Sequence, residues 1–309
     1  MLKISVVIPV HNEEGNVFPL YQELLTTIQK IGSTYEFLYI DDGSTDLSYK
    51  NIQILAEQDK NVKYIHFSKN FGHQNAVFAG LEKSSGDAIV IIDADLQDPP
   101  QLIEKLYEKF IEGYEVVFAQ RTYRSDETWL KLTSAKLFYR FINKLSDVYI
   151  PEDTGDYRMI SKKVKDVICS MPEQNKFIRG QIAWAGFKQI GVPFERKGRR
   201  SGKTNYSYAQ MFKFAYDGIV SFSNRPLHLA TYAGFLISLT AFAVIIYSVY
   251  QKYWNNNTVQ GWTSIMLSVL FLGGVQLICL GIIGEYIGRI LDNVKDRPNY
   301  VIKESNFED

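Results

Sequence analysis

The sequence predicts an α/β protein with a Rossmann-like, doubly wound, mostly parallel sheet, followed by amphipathic helices and a two-helix membrane hairpin. Three observations predict it. Strand-like and helix-like patterns alternate from Ile4 to Gln120, as a βαβ succession does. The apolar runs end in acidic or glycine-containing turns. Two long stretches in the last third of the 309 residues carry almost no charge.

The elements follow in order. Ile4–Val10 is an apolar run too short for a signal peptide, so it reads as a first strand that begins in the cytosol. Further strands read at Phe37–Asp41, Val62–Phe67, Ala88–Asp93 and Glu115–Ala119, each rich in β-branched or aromatic residues. Helical patterns fill the gaps at Val17–Ile31, Leu47–Gln58, His73–Lys83 and Gln101–Glu112. No repeat or low-complexity tract interrupts them. Beyond the sheet, Trp129–Leu145 and Tyr206–Phe222 interleave apolar and basic or polar residues at helical spacing, a pattern suited to lying in a headgroup plane. A surface helix packed on the core is the alternative for each.

Leu227 to Tyr250 holds only His228 as an ionisable side chain other than tyrosine, and Thr263 to Ile283 holds no charge. Each is long enough to cross a hydrocarbon core of roughly 30 Å, which needs about 20 residues. Gln251–Trp262 between them is short and polar, so the two spans form an antiparallel hairpin. Tyr247, Tyr250, Tyr253, Trp254 and Trp262 cluster at that end as an interfacial belt. Lys203, Lys213 and Arg225 precede the first span, and Arg289, Lys295 and Arg297 follow the second, so both ends are expected in the cytoplasm. The resulting divisions are a cytoplasmic catalytic, nucleotide-sugar-binding domain at 1–200, a juxtamembrane segment at 201–226, two spans within 227–290 and a cytoplasmic tail at 291–309. The expected location is the inner membrane, with several passes.

Composition narrows the function. Net charge is zero, so no bulk field recruits nucleic acid. Cys169 and Cys279 are the only cysteines, far apart in the chain, which excludes a disulfide framework or a cysteine zinc site. Small residues at Gly273-Gly274 and at Gly281, Gly284 and Gly288 let helices approach closely, so homo-oligomerisation is an expectation.

The chemistry gathers at strand ends. Ile91-Ile92-Asp93-Ala94-Asp95-Leu96-Gln97-Asp98-Pro99-Pro100 joins a buried strand to a helix through two carboxylates one residue apart. Ligands of open α/β sheets bind outside the carboxyl ends of strands, where Asp93 and Asp95 fall. Such acids repel one another unless a cation separates them, and Mg²⁺ or Mn²⁺ held with substrate phosphates fits. A solvated acidic turn is the plainer reading of an isolated Asp-Ala-Asp. Asp41-Asp42-Gly43-Ser44-Thr45-Asp46 after the second strand is by itself a common β-turn-α junction. Paired with Asp93 and Asp95, and with Pro9-Val10-His11-Asn12-Glu13-Glu14 as a third wall, it outlines a nucleotide cleft. His11 and His73 fall in loops near that cleft at no zinc-like spacing, while His66 reads as strand and His228 as interfacial.

These pieces, in this order, resemble glycosyltransferase family 2. Val7 to Glu14, Asp41 to Ser44, Asn70-Phe71-Gly72-His73-Gln74-Asn75-Ala76 and Asp93 to Pro99 carry the likeness. Asp153-Thr154-Gly155-Asp156-Tyr157-Arg158, Phe177-Ile178-Arg179-Gly180, Arg199-Arg200-Ser201-Gly202-Lys203-Thr204-Asn205-Tyr206 and the paired spans extend it over nearly the whole chain. Within the family the chain looks most like polyprenyl-phosphate glycosyltransferases, relatives of dolichyl-phosphate mannose synthase and the bactoprenol glucosyltransferases. His11 stands where the family often has an aromatic residue, and the Gln-x-x-Arg-Trp signature of processive polysaccharide synthases is missing.

The resemblance implies a glycosyltransferase A-type fold and a reaction. A hexose, glucose for preference, passes with inversion from a nucleotide diphosphate sugar such as UDP-glucose to polyprenyl (undecaprenyl) phosphate at the cytoplasmic membrane face. It implies Asp93, Asp95 and Gln97 on the metal, and Pro9, Asn12, Glu13, Asp42 and Asp93 on the nucleotide. Arg199, Arg200 and Lys203 would grip phosphates, as would Arg121, Arg124 and Arg179. Asp156, Asp95 and Arg121 form the implied catalytic set. Asp156 sits in a turn-rich stretch that Gly155 allows to bend. Mannosyl or N-acetylglucosaminyl transfer and a non-catalytic membrane scaffold are the alternatives.

Overall fold

The computed structural model describes residues 2–121, 154–194 and 261–307, together with part of 232–250. The first strands are β1 (Lys3–Val10), β2 (Thr34–Asp41), β3 (Val62–Phe67), β4 (Ala88–Ile91) and β5 (Val116–Arg121). Between them lie α1 (Val17–Ile31), α2 (Ser48–Gln58), α3 (His73–Lys83) and α4 (Leu102–Ile111). Every one of these elements is legible as an apolar run or a helical stripe, with ends shifted by a few residues at most.

The later elements are β6 (Thr154–Ser161), α5 (Lys162–Cys169), α6 (Ile178–Ala185), β7 (Gln189–Phe194), α7 (Trp262–Lys295) and β8 (Ile302–Ser305). One sheet of eight strands results, in the order β7-β5-β6-β4-β1-β2-β3-β8. β1 pairs in parallel with both β2 and β4, β2 with β3, and β5 with β7. β6 runs antiparallel to both β4 and β5, and β8 antiparallel to β3. The sheet is therefore mostly parallel with an antiparallel insert.

Residues of β1 alternate between two apolar layers, which is why its sequence is apolar throughout. Ile4, Val6, Ile8 and Val10 pack with α1, α2 and α4 through Leu20, Leu24, Ile52, Ile103 and Leu106. Val7 packs on the other face with α3, α5 and α6 through Val77, Leu81, Val164, Ile168 and Ile182. Helices thus cover both faces, and the sheet is doubly wound as expected.

Two expectations need correction. Asp156 lies in β6, a buried strand between β4 and β5, and not in a bent turn. Thr154-Gly155-Asp156 is a poor strand former alone, but its continuation into Arg158–Ser161, which pairs with β4, and its pairing with β5 through Thr154 and Gln120 override that preference. Nor is the end of the chain simply a tail. Residues 302–305 add a strand to the sheet edge, with Ile65 opposite Ser305 and Phe67 opposite Ile302. Asn306 secures it, its Oδ1 accepting from the Tyr64 N–H at 2.7 Å and its Nδ2 donating to the Val62 carbonyl at 3.1 Å. The Tyr300 hydroxyl donates to Glu82 at 2.6 Å while its ring stacks on Phe67 at 4.8 Å.

α7 is also longer than the second predicted span. Its 34 residues rise about 51 Å at 1.5 Å each, past the uncharged stretch to Lys295. Phe271–Lys295, with mean hydropathy 1.6, is long and apolar enough to cross a membrane. Leu277, Ile278, Leu280 and Ile287 on it are exposed. The described residues of 232–250 are helical, and Phe235, Leu236, Leu239 and Phe242 among them are exposed too. Contiguous apolar surface of this kind needs a cover other than water. The amphipathic stretches 129–145 and 206–222 lie outside the described residues.

Candidate active site

β2, β1 and β4 are neighbours in the sheet, so the loops after Val10, Asp41 and Ile91 meet at one edge. There the first and third of these loops, with His73 at the start of α3, line an open cavity of about 180 Å³ through Pro9, His11, Glu13, His73, Asp93, Ala94 and Asp95. The first two loops are knit together. Asn12 has φ 56°, a left-handed conformation that asparagine tolerates better than most residues. Its Oδ1 accepts from the Thr45 N–H at 2.8 Å, and its own N–H donates to the Ser44 hydroxyl at 3.0 Å. Gly43 (φ 64°) is required at the turn, because a Cβ there would meet Lys69 backbone carbon at 2.5 Å. His11 Nδ1 lies 2.9 Å from the Asp42 carbonyl, so that nitrogen carries the proton. Glu13 Oε2 accepts from Asn16.

The two acids Asp93 and Asp95 differ. Asp93 has an oxygen, Oδ1, sealed from solvent without a hydrogen-bond partner; His73 Nε2 is 3.7 Å away. Burial first, then the charges of Asp156, Asp98 and Asp95, push its pKa up to about 6 against the lowering effect of His73. Asp95 turns back to accept from the Gln97 N–H at 3.1 Å, a turn made by Leu96 at φ 56°. A leucine in that region is strained, and such strain concentrates at functional sites. An orphaned carboxylate oxygen beside a second carboxylate fits a hard divalent cation. Gln97 is buried and lies outside the cavity lining; what it supplies is the backbone N–H on Asp95. Among the described residues no cluster of three or more His, Cys, Asp or Glu side chains converges as a metal centre. Mg²⁺ or Mn²⁺ would thus depend on substrate oxygens to complete its shell.

Asp156 is the most heavily bonded acid in the neighbourhood. Arg179 Nε donates to Oδ1 at 2.6 Å, and Arg179 Nη2 to Oδ2 at 3.2 Å. His73 Nε2 at 3.1 Å and Gln74 Nε2 at 3.0 Å reach the same Oδ2. Burial alone would raise this carboxyl, but the Arg179 charge and the hydrogen bonds from His73 and Arg179 hold it well below the usual range. In return, the bond to Asp156 and the charges of Asp93 and Asp156 outweigh burial and raise His73 to about 9. Arg158, fully buried, is lowered to about 10 by burial and donates to the Gly155 and Asp156 carbonyls. His73 therefore bridges the cavity acid Asp93 and the strand acid Asp156.

Comparison with known proteins fits this arrangement. The glycosyl transferase family 2 model matches residues 5–168, which include all three loops and Asp156. The chain belongs to glycosyltransferase family 2. A second model, the GtrB C-terminal hairpin, matches residues 225–290 of this glycosyltransferase. It is 46% identical over 307 residues to the uncharacterized glycosyltransferase YkcC of Bacillus subtilis, covering 98% of this chain and 94% of that one. It is 40% identical to the prophage bactoprenol glucosyl transferase homolog of Escherichia coli, over 98% and 99% of the two chains. The bactoprenol glucosyl transferase of Shigella phage SfII is also 40% identical, over 99% of each.

The structure brings Pro9, Glu13, Asp93 and Asp95 of this glycosyltransferase to one cavity, with Asn12 bracing its wall. Asp42 stands behind it, both carboxylate oxygens taken by loop amides: Phe71 N–H at 2.6 Å and Gly72 N–H at 2.9 Å. Arg121 ends β5 opposite Phe194 of β7. Arg124, Arg199, Arg200 and Lys203 lie outside the described residues. His73 and Gln74 carry contacts to which the sequence reading assigns no role. The available signal was their place: α3 starts directly after β3 at the same sheet edge as the acids, so its first turn faces the cleft.

Proposed function

We propose that this glycosyltransferase transfers glucose from UDP-glucose to undecaprenyl phosphate at the cytoplasmic membrane face, with inversion at the anomeric carbon. Similarity to bactoprenol glucosyl transferases over almost the full length of both chains carries the reading of substrates. Asp93 lining the cavity, and His73 linking it to Asp156, support the placing of donor and acceptor on either side of that bridge.

The acceptor is a phosphomonoester with a second pKa near 6, so it is mostly a dianion at neutral pH and needs little general-base help. One of its oxygens forms a bond to the anomeric carbon as the bond from that carbon to the diphosphate breaks, and the nucleoside diphosphate departs with the electron pair. Asp93 and Asp95 would hold Mg²⁺ or Mn²⁺ with the donor phosphates, where the ion would supply charge neutralisation for the departing group. Pro9, Asn12, Glu13 and Asp42 form or brace the nucleoside wall. Arg179 and Arg158 supply fixed positive charge beside Asp156, and Arg121, Arg199, Arg200 and Lys203 are proposed for phosphate oxygens. On this reading catalysis rests on placement and charge neutralisation.

Chain closure supports a two-helix hairpin. β1 and β8 lie in one sheet, so the chain that leaves after residue 194 is back by residue 302. Any crossing between those points needs a second crossing in return. The basic flanks of the two spans support placing the shared side in the cytoplasm.

The test is incubation of purified full-length protein with labelled UDP-glucose, undecaprenyl phosphate and Mg²⁺ or Mn²⁺. Lipid-linked glucose should form, and chelation with EDTA should stop it. No lipid-linked sugar from UDP-glucose, UDP-N-acetylglucosamine or GDP-mannose would overturn the proposal. Product from GDP-mannose alone would move the donor assignment to mannose.

A further inference from the structure

Gln74 sits in the first turn of α3 and touches two things that the reaction needs in register. Its Nε2 donates to Asp156 Oδ2 at 3.0 Å, and its Oε1 accepts from the Ile178 N–H at 3.1 Å. Ile178 opens α6, whose first-turn N–H groups have no partner within the helix. The residue before it, Phe177, makes no side-chain cap, so Gln74 supplies that cap from another helix. The next residue along α6 is Arg179, whose guanidinium grips both oxygens of Asp156. One amide thus fixes the acid and also the helix that carries its cation. Meanwhile the start of α3 is tied to the donor side, through Asp42 on the Phe71 and Gly72 amides and through His73 in the cavity wall.

We propose that Gln74 is a positioning residue that sets the Asp156–Arg179 pair against the donor cavity. The assignment rests on the transfer reading above. The polarity of the amide gives it a sharp signature, since only one orientation offers an acceptor to Ile178 and a donor to Asp156. Gln74→Glu keeps the cap oxygen for Ile178 but sets a carboxylate against Asp156 Oδ2. Gln74→Met keeps the length and provides neither bond.

The experiment compares wild type, Gln74→Glu and Gln74→Met as full-length proteins. Turnover with UDP-glucose and undecaprenyl phosphate is measured beside UDP–Mn²⁺ titration and hydrogen exchange of the segment 177–182. For Gln74→Glu, kcat should fall at least about tenfold while KM for the donor and Kd for UDP–Mn²⁺ stay within about threefold, because the change is confined to the acceptor side. Segment 177–182 should keep its protection in Gln74→Glu and exchange faster in Gln74→Met, where the cap is gone. A purely structural Gln74 predicts normal turnover in the Glu variant, and that result overturns the proposal. So does loss of nucleotide binding in step with turnover, or unchanged exchange in Gln74→Met. A wild type that makes no lipid-linked sugar overturns the transfer reading itself, and this assignment with it; an active wild type matched by Gln74→Glu overturns the Gln74 assignment alone.

Discussion

Replacing Asp156 with Asn removes a charge and halves the acceptor capacity at the most crowded acid of the site. Four donors converge on its two oxygens, from Arg179 twice, His73 and Gln74. An asparagine offers one oxygen and turns an NH₂ group toward donors that have no use for it. One contact is lost if the NH₂ takes the place of Oδ1 and three if it takes the place of Oδ2, and hydrogen bonds to charged groups contribute about 1.5 kcal/mol or more each. The loss is then about 1.5 to 4.5 kcal/mol, equivalent to at least roughly tenfold in rate at about 1.36 kcal/mol per tenfold if it falls on the transition state. Asp156 does not line the cavity proposed for the donor, so UDP–Mn²⁺ binding should change by less than about threefold, well under 1.4 kcal/mol. Isothermal titration with UDP and Mn²⁺, beside a transfer assay with undecaprenyl phosphate, separates the two quantities. Wild-type turnover in Asp156→Asn would refute the mechanistic placing, and abolished nucleotide binding would move the residue to the donor side.

Three further outcomes are expected. His73 has a folded pKa of about 9 against an ordinary 6.5, so its stabilisation is fully present below 6.5 and is lost as pH rises through 9. Thermal unfolding of wild type and His73→Gln should therefore differ near neutral pH and converge in alkaline buffer; a gap that widens with pH contradicts the sign. Asn306→Ala removes two side-chain hydrogen bonds that hold β8 to β3, at about 1 kcal/mol each, and should lower the unfolding midpoint by several degrees. An unchanged midpoint would mean that the edge strand contributes nothing. Gly43→Ala should prevent accumulation of folded protein, since its Cβ would fall 2.5 Å from the Lys69 carbonyl carbon at a backbone φ of 64°; normal expression and melting would contradict it.

What could be read in advance follows from how local each signal is. β1 to β5 and α1 to α4 announce themselves because every residue between turns serves one periodic pattern, as in α1, where Val17, Leu20, Leu24 and Ile28 make a single buried stripe. Asp93 and Asp95 were legible for the same reason, as a polar interruption at the end of an apolar run. β6 was not, because Thr154, Gly155 and Asp156 become strand only as the start of a segment that pairs with β5 and, from Arg158 on, with β4. β8 is four exposed residues whose partner lies more than 230 positions earlier, and no local pattern specifies such a pairing. The contacts of His73 and Gln74 were hidden likewise, since they join residues 82 and 83 positions apart.

Those long-range contacts also answer an electrostatic objection to Asp156. On the proposed reaction a carboxylate close to the anionic acceptor would repel it, so an acid there is at first sight misplaced. But this carboxylate does not stand alone: Arg179 pairs with it directly, His73 is held cationic at neutral pH by it, and Arg158 is buried against its backbone. With Arg179, Arg158 and His73 counted as cations and Asp156 as one anion, the group carries net positive charge. The acid is then what allows several cations to be packed at one point without mutual repulsion driving them apart, at the cost of one unit of the field they project. Its four donors also leave it a poor proton acceptor, with a pKa held well below the usual range. A residue so arranged is suited to fixing the direction of Arg179 and His73, and the proposed reaction, whose acceptor would already be a dianion, would ask for that service more than for a base.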